Sequence, residues 1–213
     1  MPEEVKRRYH APQRAEQAAA RRASLVAAAG DLFTQHGYAA TTMPAIAARA
    51  GVSLRTAHLA FGTKSQLLRA VWDQALKGDL RDEPVAVRPW YQEVLEEPNQ
   101  GRQLELVAHN SRIVKERIGP ILKVIRGGAE TEPDLAELWD LIQSDFRANQ
   151  KVIVDSLATK GALRAGLDAE RGADILWTLN NPDVWLLLVD RRGWSPVQWE
   201  EWFLDAASHQ LID

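Results

Sequence analysis

Residues 42–61 read T-M-P-A-I-A-A-R-A-G-V-S-L-R-T-A-H-L-A-F. Thr42 and Ser53 carry side-chain oxygens that can cap the free amides of a helix start, and Pro44 is tolerated in a first turn. They predict two short helices, over residues 43–50 and from Ser53 to Phe61, with Gly51-Val52 breaking the chain between them. Helices that cross steeply need small residues where they touch, a glycine in the turn and an apolar anchor after it. Ala47, Ala50, Gly51 and Val52 fit those places. Ile46, Leu59 and Phe61 are expected to bury the pair against the preceding helix. That leaves Leu54, Arg55, Thr56 and His58 facing outward on the second helix, a surface suited to the major groove of double-stranded DNA.

Outward from this stretch the punctuation stays helical. Residues 14–36 are Ala-rich, place Leu25, Ala28, Ala29, Leu32, Phe33 and His36 on one stripe, and stop at Gly37. Thr63-Lys64-Ser65-Gln66 has capping-box form and opens a helix carrying Leu67, Leu68, Val71, Trp72 and Ala75 to near Gly78. Residues 79–100 are rich in proline and acid and read as irregular, with one short turn over residues 90–95. Beyond them, residues 101–118 are periodic at Leu104, Val107, Ala108, Ser111, Val114 and Ile118. Pro120 opens a short helix closed by Gly127-Gly128, and Pro133 opens a long one to about Lys160. Asp168 caps a helix to about Asp190. Ser195-Pro196-Val197-Gln198 is a second capping box, opening a last helix to about Leu211. No segment alternates apolar and polar residues as a strand would. The expectation is an all-α protein of about nine helices. Residues 1–62 would form an N-terminal arm and three-helix helix-turn-helix domain, and residues 63–213 a C-terminal helical domain.

Charge divides the same way. Residues 1–70 hold 10 Lys/Arg against 4 Asp/Glu, and residues 71–213 hold 16 against 25, within a net charge of −3 over 213 residues. A basic head on an acidic body is what a phosphate-neutralising module joined to a non-binding one would show. Cysteine is absent, which excludes disulfides, thiolate metal sites and thiol nucleophiles and suits a reducing compartment. No apolar run approaches the roughly 18 residues of a membrane span, and the first residues lack a signal peptide's apolar stretch. A cytoplasmic protein with no membrane partner is expected.

At residues 42–64 the chain resembles the TetR family of bacterial transcriptional regulators. I-A-A-R-A-G-V-S stands at residues 46–53, Thr56 and Phe61 follow in place, and Lys64 opens the next helix within G-T-K-S-Q-L-L. The ending R-R-G-W-S-P-V-Q-W-E-E-W is also similar to the tail of many members. Two positions depart from the family pattern: His58 stands where a phosphate-contacting Tyr is usual, and Ala60 where His or Tyr is usual. A protonated His58 would still donate to a phosphate, which would make DNA binding pH-sensitive near neutrality. Lys64 has its own argument, because a cation in a helix's first turn opposes the macrodipole unless an anion docks there. A DNA phosphate would be that anion; the plain alternative is a solvated lysine. Arg55 can pair bidentately with guanine or simply touch backbone. Thr42, Ser53 and Thr56 sit where phosphate contacts are expected. Lys6-Arg7-Arg8, with Arg14, either follows the DNA or is an unstructured tail.

The resemblance implies a C-terminal ligand pocket and a homodimer built by the last two helices. Ile175, Leu179, Leu186 and Val189, and then Trp199, Trp202, Phe203, Ala206 and Gln210, recur at helical spacing, as an interface or as internal core. A two-fold dimer would set two recognition helices about 34–36 Å apart, or at a related spacing, over a pseudopalindromic operator. His109 and Asn110 interrupt one apolar helix, and Asn180-Asn181 another, ahead of Pro182. Such polar groups are ligand hooks or satisfied core hydrogen bonds. With Trp139, Phe146, Trp177 and Trp185 nearby in sequence order, the candidate ligand set is His109, Phe146, Trp177, Asn180 and Asn181, for an unidentified apolar or aromatic effector. An enzyme is not expected. The chain has no Gly-rich phosphate loop, no His-Glu-x-x-His and no Glu-x-x-His pair, and Asp205 with His209 reads as a surface pair. No cofactor or metal is expected either. The other reading of function is a DNA-binding protein answering to a protein partner, or architectural, without a small inducer.

Overall fold

The computed structural model describes residues 11–78 and 85–212, and the basic segment Lys6-Arg7-Arg8 lies outside them. Every regular element among the described residues is helical. The chain divides into two compact units, Met1–Gln74 and Ala75–Asp213.

The first unit comprises α1 (Ala11–Ala40), α2 (Met43–Arg49), α3 (Leu54–Phe61) and most of α4 (Lys64–Lys77). Helix α1 does not end at Gly37. It runs on to Ala40 across a kink at that residue, whose φ of 79° and ψ of 171° are open to glycine because it lacks a Cβ. The Thr41 hydroxyl lies 2.8 Å from the Gly37 carbonyl and 3.1 Å from that of Leu32, so a buried side chain satisfies backbone at the kink. Gly51, at φ 68°, makes the turn between α2 and α3. Ser24 of α1 donates to the Ala50 carbonyl at 3.0 Å and ties that turn down. Leu25, Ala29 and Phe33 of α1, Ile46 and Ala47 of α2, Ala57 and Phe61 of α3 and Leu67 and Leu68 of α4 supply buried side chains.

Leu59 departs from expectation: it is 78% exposed, while Ala57 is fully buried. On a 3.6-residue helix positions 57 and 61 share a face and position 59 lies nearly opposite. Once Phe61 is buried, Leu59 therefore points outward.

In the second unit a 3₁₀ turn (Val85–Val87) leads to α5 (Pro89–Glu96), where the sequence suggested one turn. Helix α6 (Gln100–Gly128) is continuous through Pro120, which was expected to start a separate helix. Ile118, Ile121, Leu122 and Ile125 are all buried, so a break there would uncover one apolar face to spare a single missing amide. Helix α7 (Pro133–Thr159) is as expected. The predicted helix from Asp168 to Asp190 is instead interrupted. Helix α8 (Ala169–Leu179) ends at Asn180, Asn181 caps α9 (Pro182–Trp185), and a π-turn (Leu186–Arg191) follows. Pro182 cannot donate to the Thr178 carbonyl, and the Asn181 amide does so at 3.2 Å. Helix α10 (Pro196–Leu211) starts with the expected capping box between Ser195 and Gln198. It packs on α6 and α8, burying Trp199, Phe203, Ala207 and Leu211 against Leu104 and Val107 of α6 and Val154 and Leu157 of α7. None of the described helices is long and apolar enough to cross a membrane.

Candidate nucleic-acid interface and interior polar cluster

In the first unit capping orients the outward face. Thr42 accepts from the Ala45 amide at 3.3 Å, and Ser53 accepts from the Thr56 amide at 3.1 Å, so both capping oxygens sit where the sequence placed them. Ser53 also shares a 2.8 Å hydroxyl contact with Thr56, which fixes that side chain at the start of α3. Leu54, Arg55 and His58 are exposed beside it. His58 Nδ1 lies 2.8 Å from the Gly62 carbonyl. A carbonyl only accepts, so Nδ1 carries the proton, and the outward Nε2 can donate to an anion only as imidazolium.

Lys64 is not a solvated lysine. Its ammonium donates to the Tyr38 carbonyl at 2.8 Å and stands 3.9 Å from the centre of the Tyr38 ring, joining the start of α4 to the end of α1. That answers its unfavourable place in a first turn from within the protein. Arg22 does a similar service for α3, donating to the Ala60 carbonyl at 2.7 Å with its guanidinium 4.0 Å from the centre of the Phe61 ring. Nothing in the spacing marked Arg22, because its partner lies 38 residues on.

In the second unit the expected ligand residues do not form one group. His109 is half exposed and lies 3.3 Å from a Glu200 oxygen on α10, where Arg112 also reaches Glu200. It is a surface residue, one position off the buried stripe of α6. Asn181 is occupied by capping the Asp183 amide at 2.9 Å and donating to Gln143 at 3.0 Å. Trp177 has a buried indole nitrogen without a hydrogen-bond partner. Asn180 and Phe146 do converge, on a residue that the sequence reading missed.

That residue is Lys115. It is 1% exposed. Its amine donates to the side-chain carbonyl of Asn180, which is equally buried. The Asn180 amide nitrogen in turn faces Ser111 at 3.0 Å and the buried Gln150 at 3.2 Å. The amine stands 5.0 Å from the centre of the Phe146 ring and 4.7 Å from that of Trp199. Burial pushes the Lys115 pKa well below the ordinary lysine value. The signal for it was available: position 115 continues the stripe 104, 108, 111, 118 at helical spacing, so a lysine there had to be interior.

The proposed dimer residues also separate. Trp199 and Phe203 have no exposed surface in the single chain, and they stack at 5.0 Å within its own core. They are therefore internal core, not partner contacts. Ile175, Leu179, Leu186 and Trp202 keep partial exposure at the edge of that core, and Ala206 is also partly exposed. Asp205 and His209, 3.3 Å apart, are a surface pair.

Described residues that are all helical, with a capped helix-turn-helix, arginine and histidine exposed on its second helix and a separate helical unit following in the chain, have the architecture of a DNA-binding regulator. Residues 25–71 match the family model described as bacterial regulatory proteins, tetR family. Over that span the chain is similar to the TetR family. It is 28% identical over 180 residues to TtgR of Pseudomonas putida, an HTH-type transcriptional regulator, covering 82% of this chain and 84% of TtgR. Its fold is similar to that of SmeT in a triclosan complex, at a TM-score of 0.71 and 20% identity over 91% of this chain and 92% of that one. It is also similar to NalD, the secondary repressor of the MexAB-OprM multidrug efflux pump in Pseudomonas aeruginosa. There the TM-score is 0.67 and the identity 20%, over 92% of this chain and 98% of NalD.

Proposed function

We propose that this protein is a homodimeric repressor that holds a pseudopalindromic operator and is released by a small, largely apolar molecule bound in the C-terminal unit. The observation that carries the DNA half is the outward set Arg55, Thr56 and His58 on a helix pinned by Ser53 and Arg22. Arg55 reads a base edge; Thr42, Thr56 and a protonated His58 contact phosphate, and Lys64 uses its remaining donors there. The dimer uses the partly exposed residues of α8 and α10, Ile175, Leu179, Trp202 and Ala206, with Leu186 beside them. Leu187 and Val197, 51% and 53% exposed, add apolar surface in the same segment of the chain.

Ligand control is supported by a recess of about 310 Å³ beside Lys115, Gly119 and Trp185 in the C-terminal unit, the lower end of the size range of small-molecule sites. Two similar proteins point the same way, one solved in complex with triclosan and the other a repressor of a multidrug efflux pump. Release requires that the ligand bind the DNA-incompetent state better than the competent one, since equal affinity shifts nothing.

In vitro selection from random duplex DNA, followed by salt titration of the winning site, tests this reading. The expected result is a pseudopalindromic consensus whose log affinity falls linearly with log salt, by a slope of several units. No enrichment, before and after unfolding and refolding to strip any bound molecule, would sink it. A bound operator that no small molecule releases would leave control by a protein partner.

A further inference from the structure

The interior of the C-terminal unit holds hydrogen-bond donors in excess of acceptors. Lys115 donates to the one carbonyl oxygen of Asn180, and that amide's nitrogen is already directed to Ser111 and Gln150. Trp199, whose ring lies 4.7 Å from the lysine nitrogen, has a fully buried Nε1 with no acceptor. Among the described residues no carboxylate pairs with Lys115, and burial lowers its pKa.

The carboxylates on the surrounding elements are paired elsewhere or, as with Glu137, Asp140, Asp145 and Glu201, exposed at the surface. Glu116 and Glu200 pair with Arg112, and Glu200 also faces His109. Asp190 pairs with Lys123. On the facing side Asp183 pairs with Arg126, Arg147 with Glu170 and Asp174, and Lys151 with Asp155. A buried amine with an unmatched indole N–H, walled by aromatic rings and bordering a recess, lacks one component: an anion carrying an aromatic body.

We infer that the effector is an aromatic acid, its carboxylate or phenolate oxygen held by Lys115 and its ring system lying in the recess beside Gly119 and Trp185. This rests on the ligand-controlled reading above and narrows it to a chemical class. The recess has a volume of about 310 Å³, and the carboxylates that line it, Glu116 and Asp190, are paired with Arg112 and Lys123. Burial disfavours the charged amine and a bound carboxylate favours it, so binding raises the proton affinity of Lys115. Binding is thereby coupled to proton uptake and weakens as pH rises.

The experiment compares 2-naphthoate with 2-naphthamide by calorimetry on the full-length protein, in two buffers of different ionisation enthalpy. The wild type is expected to bind the acid at least about tenfold more tightly than the amide. It should take up protons with the acid only, and lose affinity for the acid as pH rises toward the ordinary lysine value. Lys115→Met should bind both compounds alike with no proton uptake, while Lys151→Met, whose lysine pairs with Asp155 and does not line the recess, should keep the preference. Should Lys115→Met not fold, the proton uptake and pH dependence of the wild type decide alone. Equal affinity for acid and amide in the wild type would overturn the inference and leave ligand control standing, as would a preference that survives in Lys115→Met or vanishes in Lys151→Met. If neither compound binds and no aromatic compound of a wider screen releases the operator complex, both readings fall together.

Discussion

The two units keep their polar chemistry in opposite places. In the first unit Thr41 is the one buried polar residue among those described, and the groups suited to phosphate and base edges are turned outward from a small, Ala-rich core. The second unit encloses its polar groups: Gln103, Lys115, Gln150 and Asn180 are each at most 4% exposed among apolar helices. A surface that meets a charged polymer needs exposed donors on a rigid support, whereas a site that selects a small molecule needs few donors held away from water. The difference explains why substitutions in the two units should fail differently.

The largest effect should come from the enclosed unit. Phe203→Ala, which empties the place stacked on Trp199, is expected to cost about 3–5 kcal/mol of stability, measured by chemical denaturation. A cost below about 1 kcal/mol would mean that Phe203 is not core and would return it to the dimer interface. Arg55→Ala, in the outward-facing unit, should leave the denaturation curve unchanged. It should lower affinity for the selected operator by about 1–3 kcal/mol and relax preference at one base position. A uniform loss at every site variant would make Arg55 a phosphate contact. The smallest effect is a pH slope. With its folded pKa lowered, Lys115 binds fewer protons folded than unfolded between that lowered value and the ordinary 10.5. The wild type should therefore gain stability relative to Lys115→Met as pH rises through that window, by at most about 1.4 kcal/mol per pH unit. Parallel stability curves would show the amine to be charged throughout and the interior wetter than its burial suggests.

Legibility followed the same division. The caps at Thr42 and Ser53, the turn glycine and the outward set Arg55, Thr56 and His58 are local features, decided by residues three or four positions apart. Leu59 was misplaced because a run of eight residues offers two apolar faces, and burial of Phe61 chose between them. In the second unit the polar interruptions His109 and Asn181 drew attention because they stood out from apolar runs. Yet one faces Glu200 at the surface and the other caps a helix start. Lys115, on the buried stripe, was the informative interruption.

By itself the sequence determined the all-helical class, the helix starts and the helix-turn-helix, because capping, periodicity and glycine or proline backbone limits act over a few residues. Only the tertiary structure decided that α6 runs through Pro120, that Trp199 and Phe203 are core, and that Lys115, Asn180 and Gln150 meet. Those outcomes depend on which faces three helices bury against one another, across separations of 30 to 69 residues, and no local preference encodes them.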